Sequence, residues 1–167
     1  KKKWILEFCD LIEKSGESFT WQLPSGTRSE AIDQEVSEKL YATGCRNISY
    51  APESGSPSVL ERIKKKIKLP EMLVSMRCSI RAGINCKANI IIGFPGETHA
   101  ELRETLVFSM AMAMAGVHDM SISPFSPYPG SELFDDMTQA GRIEHLDDHY
   151  FYSLAAYTDI TTTTSYS

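Results

Sequence analysis

The feature that most constrains this chain is a unit repeated four times: a stretch of helical periodicity, a glycine, then a short β-rich run. Gly16 precedes Phe19-Thr20-Trp21-Gln22-Leu23, and Gly44 precedes Asn47-Ile48-Ser49-Tyr50-Ala51. Gly83 precedes Ala88-Asn89-Ile90-Ile91-Ile92, and Gly116 precedes Met120-Ser121-Ile122-Ser123. Glycine just past a helix takes the left-handed conformation that ends it at low cost, so each marks a helix-to-strand junction. The segments after the runs open helices by their own chemistry. Ser29-Glu30-Ala31 predicts a helix with Ile32, Val36 and Leu40 on one face. Ser56-Pro57 predicts a cap followed by proline at the first helical position. Pro70 opens a run with Leu73, Met76 and Ile80 on one side. Thr98-His99-Ala100-Glu101 is a capping box, with Leu102 and Leu106 behind it, and Ser131 caps a helix bearing Leu133, Phe134 and Met137 that Gly141 stops.

Strand alternating with helix implies right-handed crossovers and a parallel α/β sheet. The all-apolar Ile90-Ile91-Ile92 suits a strand covered on both faces. A β/α barrel and an open doubly wound sheet both satisfy this pattern. A complete barrel takes about 250 residues, so four units are half of one. The pattern stops after Gly141: Glu144 to Tyr152 is acidic and aromatic and reads as a solvated linker, and Thr161 to Thr164 is a polar run suited to an edge strand or a frayed end. Residues 1–141 are thus expected to be the repeating domain and 142–167 an extension or linker. The chain opens on Lys1-Lys2-Lys3-Trp4 and an amphipathic run of Trp4, Ile5, Phe8, Leu11 and Ile12, which reads as entry in mid-helix and predicts a segment of a longer protein.

Charge and cysteines narrow the function. With 22 acidic against 17 basic residues the net charge is −5, which argues against a dedicated nucleic-acid binder. No apolar run approaches the ~20 residues of a membrane span, and no signal peptide opens the chain, so the expected location is the cytoplasm. Cys9, Cys45, Cys78 and Cys86 fit no zinc spacing and no redox dithiol, and are read as reduced thiols packed like small apolar residues. His145 and His149, four apart beside Glu144, Asp147 and Asp148, lack a third ligand placed by sequence, so no metal site is expected there. Lys64-Lys65-Lys66 with Lys68 reads as a solvated helix face, and the alternating Met110, Met112 and Met114 as partial core packing.

In parallel α/β folds, ligands bind at the carboxyl ends of the strands. Four loops rich in Gly, Pro and small hydroxyls fall there: 23–28, 50–56, 93–98 and 124–130. Such loops are also ordinary turns, but four on one rim favour a site. Glu53 and Glu97 can accept hydrogen bonds from a ligand's amine or hydroxyls. Either can instead bond the backbone amides of a helix start, and for Glu97 that structural role is at least as well supported, because the capped helix begins beside it.

At these residues the chain resembles the radical S-adenosylmethionine superfamily, in particular its branch with cobalamin-binding members and anaerobic tetrapyrrole cyclase relatives. The resembling pieces are 51–56 followed by Val59-Leu60-Glu61-Arg62-Ile63-Lys64-Lys65, then 89–98, then 124–131, in the family's order and spacing. The resemblance implies the carboxyl-side part of a partial (β/α)6 TIM-type barrel. It also implies an enzyme that reductively cleaves S-adenosylmethionine to a deoxyadenosyl radical at a 4Fe-4S cluster. Glu53, Ser54, Gly55 and Ser56 match the fourth-strand motif that contacts the cofactor's ribose or methionine end. Gly93, Phe94, Pro95, Gly96 and Glu97 match the fifth-strand motif that shapes the adenine pocket. Phe125 and Ser126 sit where the sixth strand approaches adenine. Arg28, on the third-strand rim, faces a carboxylate or simply lies exposed at a helix start.

The resemblance also implies a small-molecule substrate and an electron donor such as flavodoxin or ferredoxin, with cobalamin left open. The departure is the cluster loop. No Cys-x-x-x-Cys-x-x-Cys exists here, so the cluster ligands are expected upstream of Lys1, and no catalytic or metal-ligating residue is expected in this chain. The alternatives are a stand-alone doubly wound module for a nucleotide or phosphate, and an inert remnant of the fold that serves assembly.

Overall fold

The computed structural model describes residues 1–25, 27–143 and 145–155. In chain order the elements are α1 (Lys2–Ser15), β1 (Trp21–Leu23), a 3-10 turn (Ser29–Ala31), α2 (Gln34–Ala42), β2 (Cys45–Glu53) and α3 (Pro57–Arg62). There follow α4 (Leu69–Arg81), β3 (Asn85–Ile92), α5 (His99–Met114), β4 (Asp119–Pro124), α6 (Glu132–Gln139) and α7 (Asp148–Ala155). The four strands form one sheet in the order β1-β2-β3-β4, every pair parallel. Strand order that follows chain order without reversal has no switch point, which separates this sheet from a doubly wound one and gives it the arrangement of part of a barrel. Gly16, Gly44, Gly83 and Gly116, the four junction glycines, all have positive φ.

The pleat divides the sheet into two faces. Ile48, Tyr50, Cys86, Ala88 and Ile90 are at most 1% exposed and pack with Cys9, Val36, Leu40, Met72, Met76 and Met112 of the helices. The Tyr50 hydroxyl stays in this core by hydrogen bonding both Ser75 and Ser79 at 2.9 Å. The alternate positions are polar apart from Ala51 and Ile91. Register sets Lys87 beside Asp119, with Nζ and Oδ2 2.9 Å apart, and Asn89 beside Ser121. A second apolar cluster gathers at the carboxyl ends of β3 and β4, where Phe94 and Phe125 lie 5.2 Å apart beside Val59, Phe134, Tyr150 and Leu154.

Four expectations change. The helix expected from Ser29 is interrupted. Ser29–Ala31 makes one 3-10 turn, Ile32 is extended, and α2 begins after Asp33, whose side chain accepts from the Val36 amide at 3.0 Å. Asp33 is the better N-cap because its carboxylate meets a helix amide directly. Ser56 precedes α3 but makes no capping bond, since its hydroxyl donates to Glu104. Helix α5 has its capping box, with Thr98 and Glu101 bonded reciprocally, but buries Thr105, Ser109 and Met112 while Leu106, Val107, Met110 and Met114 face outward. The stretch expected to be a solvated linker is exposed over 145–149 but is anchored, because Tyr150 is buried in the second cluster together with the flanking Ile143 and Leu154. The Thr161 to Thr164 run lies outside the described residues.

Candidate functional site at the carboxyl rim

The loop after β2 starts from a bulge. Between Tyr50 and Glu53 β2 holds one residue more than β3 opposite it, and the extra residue tightens the local twist. Glu53 emerges at φ 64°, a conformation that side chains other than glycine, asparagine and aspartate seldom take. Its carboxylate is 22% exposed and takes an ion pair from Lys65 Nζ at 2.9 Å. The bulge before it and the ion pair with Lys65 hold Glu53 in this sparsely populated conformation. Ser54, Gly55 and Ser56 turn away from the rim and dock on α5. The Gly55 amide donates to Thr105 Oγ1 at 3.1 Å, and Ser54 Oγ lies 2.9 Å from the same atom. A Cβ on Gly55 would sit 2.6 Å from Phe108 Cβ and 2.7 Å from Thr105 Cα, so glycine is required there by the helix. Ser54 and Ser56 are fully buried. Thr105 and Glu104 of α5 bond this turn, while the Ser109 hydroxyl caps a carbonyl of its own helix.

The loop after β3 closes on its own glutamate. Glu97, 1% exposed, accepts from the amides of Gly93 and Phe94 through Oε2, while Oε1 has no partner. Burial raises its pKa above the usual carboxylate range, against the two amides that lower it. Gly93 and Gly96 have φ of 80° and 71°, which the turn between them requires. Pro95 is half-buried, and Phe94 and Phe125 are buried against each other. The Phe125 amide donates to the Ile92 carbonyl at 2.7 Å, which ties the β4 loop to the β3 loop. Ser126 Oγ is buried without a partner. On the β1 loop Thr27 Oγ1 is also buried without a partner, and Arg28 is exposed, 3.8 Å from Glu30.

The structure therefore separates the candidate residues. Glu53, Phe94, Phe125 and Ser126 stay on the rim, Ser54, Gly55 and Ser56 hold the rim to α5, and Glu97 holds its own loop. Sequence reasoning did not assign Thr27, Thr105 or Lys65 to the rim, and read Lys65 as part of a solvated helix face. Thr105 was findable as the polar residue one turn beyond a capping box; the other two become visible only when the loops come together.

The cysteines do not fit an iron–sulfur cluster. All four are free thiols, Cys9, Cys45 and Cys86 are buried, and burial pushes the Cys45 and Cys86 thiols up to about 11 and about 12. Cluster ligation needs thiolates gathered at one place. Among the described residues no group of three or more His, Cys, Asp or Glu could hold a metal ion, and no helix is long and apolar enough to cross a membrane.

No family model matches the chain. Among curated proteins it is 27% identical over 137 residues to an uncharacterized methyltransferase of Pyrococcus horikoshii, covering 80% of this chain and 28% of that protein. It is 28% identical over 146 residues to a threonylcarbamoyladenosine tRNA methylthiotransferase of Thermotoga maritima, covering 86% and 34%. A tRNA-2-methylthio-N(6)-dimethylallyladenosine synthase of Pelobacter propionicus is 32% identical over 108 residues, covering 62% and 24%. The chain thus spans about a third or less of these relatives. Among solved structures, the radical S-adenosylmethionine methyltransferase TsrM of Kitasatospora setae, with cobalamin and a [4Fe-4S] cluster bound, superposes with a TM-score of 0.64 at 16% identity, over 88% of this chain and 29% of that one. The cobalamin-dependent radical enzyme OxsB gives 0.59 at 14% identity, over 99% and 29%. The chain is thus similar in sequence to curated methylthiotransferases and shares its fold with part of two radical S-adenosylmethionine enzymes.

Proposed function

We propose that this chain forms the ribose and adenine side of the S-adenosylmethionine pocket of a radical iron–sulfur enzyme. The observation that carries the proposal is the rim itself. Three of the four rim loops, those after β1, β3 and β4, each present a buried polar atom with no protein partner (Thr27 Oγ1, Glu97 Oε1 and Ser126 Oγ), and the strained Glu53 stands on the fourth. Buried polar atoms in folded proteins are nearly always bonded, so orphans on one rim fit groups that bond a ligand. Glu53 is assigned to the ribose hydroxyls or the amine end, as the charged acceptor that reads donors. Phe94 and Phe125 supply the apolar wall, and the backbone at 93–96 and 125–126 supplies the close approach to adenine. Arg28 is assigned to the edge of the pocket. Reductive cleavage of S-adenosylmethionine, cluster ligation and any use of cobalamin belong to the protein as a whole, since the cysteines here do not hold a cluster.

The substrate is proposed to be a small molecule, supported by the net charge of −5. The tRNA-modifying relatives favour a second reading, a tRNA substrate, which a tRNA-binding titration at two salt concentrations decides, because phosphate contacts weaken steeply with salt. The pocket is tested by titrating S-adenosylmethionine into the protein and its Glu53→Ala variant. Losing a charge-assisted hydrogen bond lowers affinity about tenfold or more. Equal affinity in the two proteins removes Glu53 from the pocket, and no binding by the unaltered protein favours an inert fold.

A further inference from the structure

The loop after β4 leaves an edge strand. Among the described residues β4 pairs only with β3, so this loop has a neighbouring rim loop on one side alone. On that side the Phe125 amide holds it to the Ile92 carbonyl at 2.7 Å. The loop is also short of donors, because Pro127 and Pro129 carry no N–H. The buried Pro127 carbonyl therefore needs a donor from another segment. Helix α7 supplies it. The Tyr150 hydroxyl donates to the Pro127 carbonyl. In the opposite sense, the Tyr128 hydroxyl donates at 3.3 Å to the Leu154 carbonyl, in the last turn of α7, where helical carbonyls lack partners. The Tyr150 side chain is 7% exposed and stands edge-on to Phe134 of α6, with ring centroids 6.4 Å apart, in the cluster that also holds Phe94 and Phe125. The Asp147 carboxylate accepts from the Tyr150 amide at 2.9 Å and so fixes the start of α7. Pro127 directly follows Ser126, whose Oγ is buried without a partner.

We infer that Tyr150 is a positioning residue of the rim: by holding the Pro127 carbonyl from outside the sheet, it sets where Phe125 and Ser126 stand on the binding rim. A ring locked in a packed cluster gives its hydroxyl one place to point, so the loop it bonds is ordered before a ligand arrives. An ordered loop spares the ligand the entropy of ordering it. Without the hydroxyl the Pro127 carbonyl would be buried and unpaired, and the loop would move to reach water. Coupling of this kind is reciprocal, so a ligand that settles on the β4 loop also steadies α7. The choice of ligand rests on the pocket proposed above; the anchoring of the loop by α7 does not.

The test measures S-adenosylmethionine affinity, and amide hydrogen exchange with and without that ligand, in the protein and in Tyr150→Phe and Tyr128→Phe variants. Tyr150→Phe keeps a ring in the cluster. Tyr128→Phe removes the second bond at an exposed side chain and leaves the core intact. Both variants should exchange the Phe125, Ser126 and Tyr128 amides faster than the unaltered protein, with 86–90 unchanged. S-adenosylmethionine should bind about threefold to tenfold more weakly to Tyr150→Phe. It should also slow exchange over 150–154 in the unaltered protein and less so in Tyr150→Phe, a response that packing of α7 alone would not give. Unchanged exchange of the loop amides in both variants overturns the inference. So does faster exchange that extends to 86–90, which marks a general loss of stability, and so does faster loop exchange with unchanged affinity. Faster loop exchange in variants of a protein that binds no S-adenosylmethionine removes the function proposed above and leaves Tyr150 as the residue that positions the rim.

Discussion

The two faces of the sheet are built from neighbouring residues of the same strands, yet they obey different rules. Ile90 is buried against the helices, while Asn89 before it lies beside Ser121 on the polar face. The first face is a packed core in which volume is fixed, so every methylene matters. The second carries Asn47, Lys87, Asn89, Asp119, Ser121 and Ser123, side chains that a closed apolar core would not tolerate unpaired. The difference shows that the sheet uses one face to hold itself together and leaves the other for polar chemistry, with the rim loops at its upper edge.

The largest expected effect breaks the comparison on its apolar side. Ile90→Ala should cost about 2–5 kcal/mol in urea unfolding, whereas Asn89→Ala should stay within about 0.5 kcal/mol. Equal losses would mean that both faces are core. Next, Gly55→Ala drives a methyl group into α5 and should cost about 1–3 kcal/mol. Thr105→Val takes the partner from the Gly55 amide and Ser54 and should cost about 1–3 kcal/mol; a cost near zero would mean the turn does not depend on α5.

The smallest effects are in pH dependence, and they oppose each other at residues four apart. Arg62, with amide and hydroxyl donors, holds the Glu101 carboxyl down at about 2, so its stabilisation is present above its unfolded value and is lost as pH falls toward 2. Burial raises the pKa of Glu97, so its contribution is greatest below the unfolded value and is lost as pH rises through the folded one. Glu101→Gln should therefore flatten the acid limb of a stability–pH curve, and Glu97→Gln should flatten the decline as pH rises above the usual carboxylate range.

Much of the architecture was legible because local chemistry and global fold agreed. The junction glycines, the Thr98 capping box and the Ser131 cap, which accepts from the Phe134 amide, each mark a boundary that the fold also uses. The failures share one cause, a side chain whose partner is distant in sequence. Leu106 reads as a core residue by spacing, but Thr105 wins the inner face because it bonds a turn fifty residues earlier. The lysine run reads as a solvated helix face because its chemistry is that of a helix, and only the turn at Lys64 sends it to the rim. The candidate site was legible as a set of loops, not as a division of labour between residues that meet ligand and residues that hold the loops.

The most direct test of the central claim, that the carboxyl rim is the adenosyl pocket, is amide hydrogen exchange of the protein with and without S-adenosylmethionine. The account predicts slowed exchange together in 51–56, 93–97 and 125–127, with the helix-covered strand positions 86–90 unchanged. Binding that leaves those three loops unprotected, or protects the helical layer instead, would contradict it.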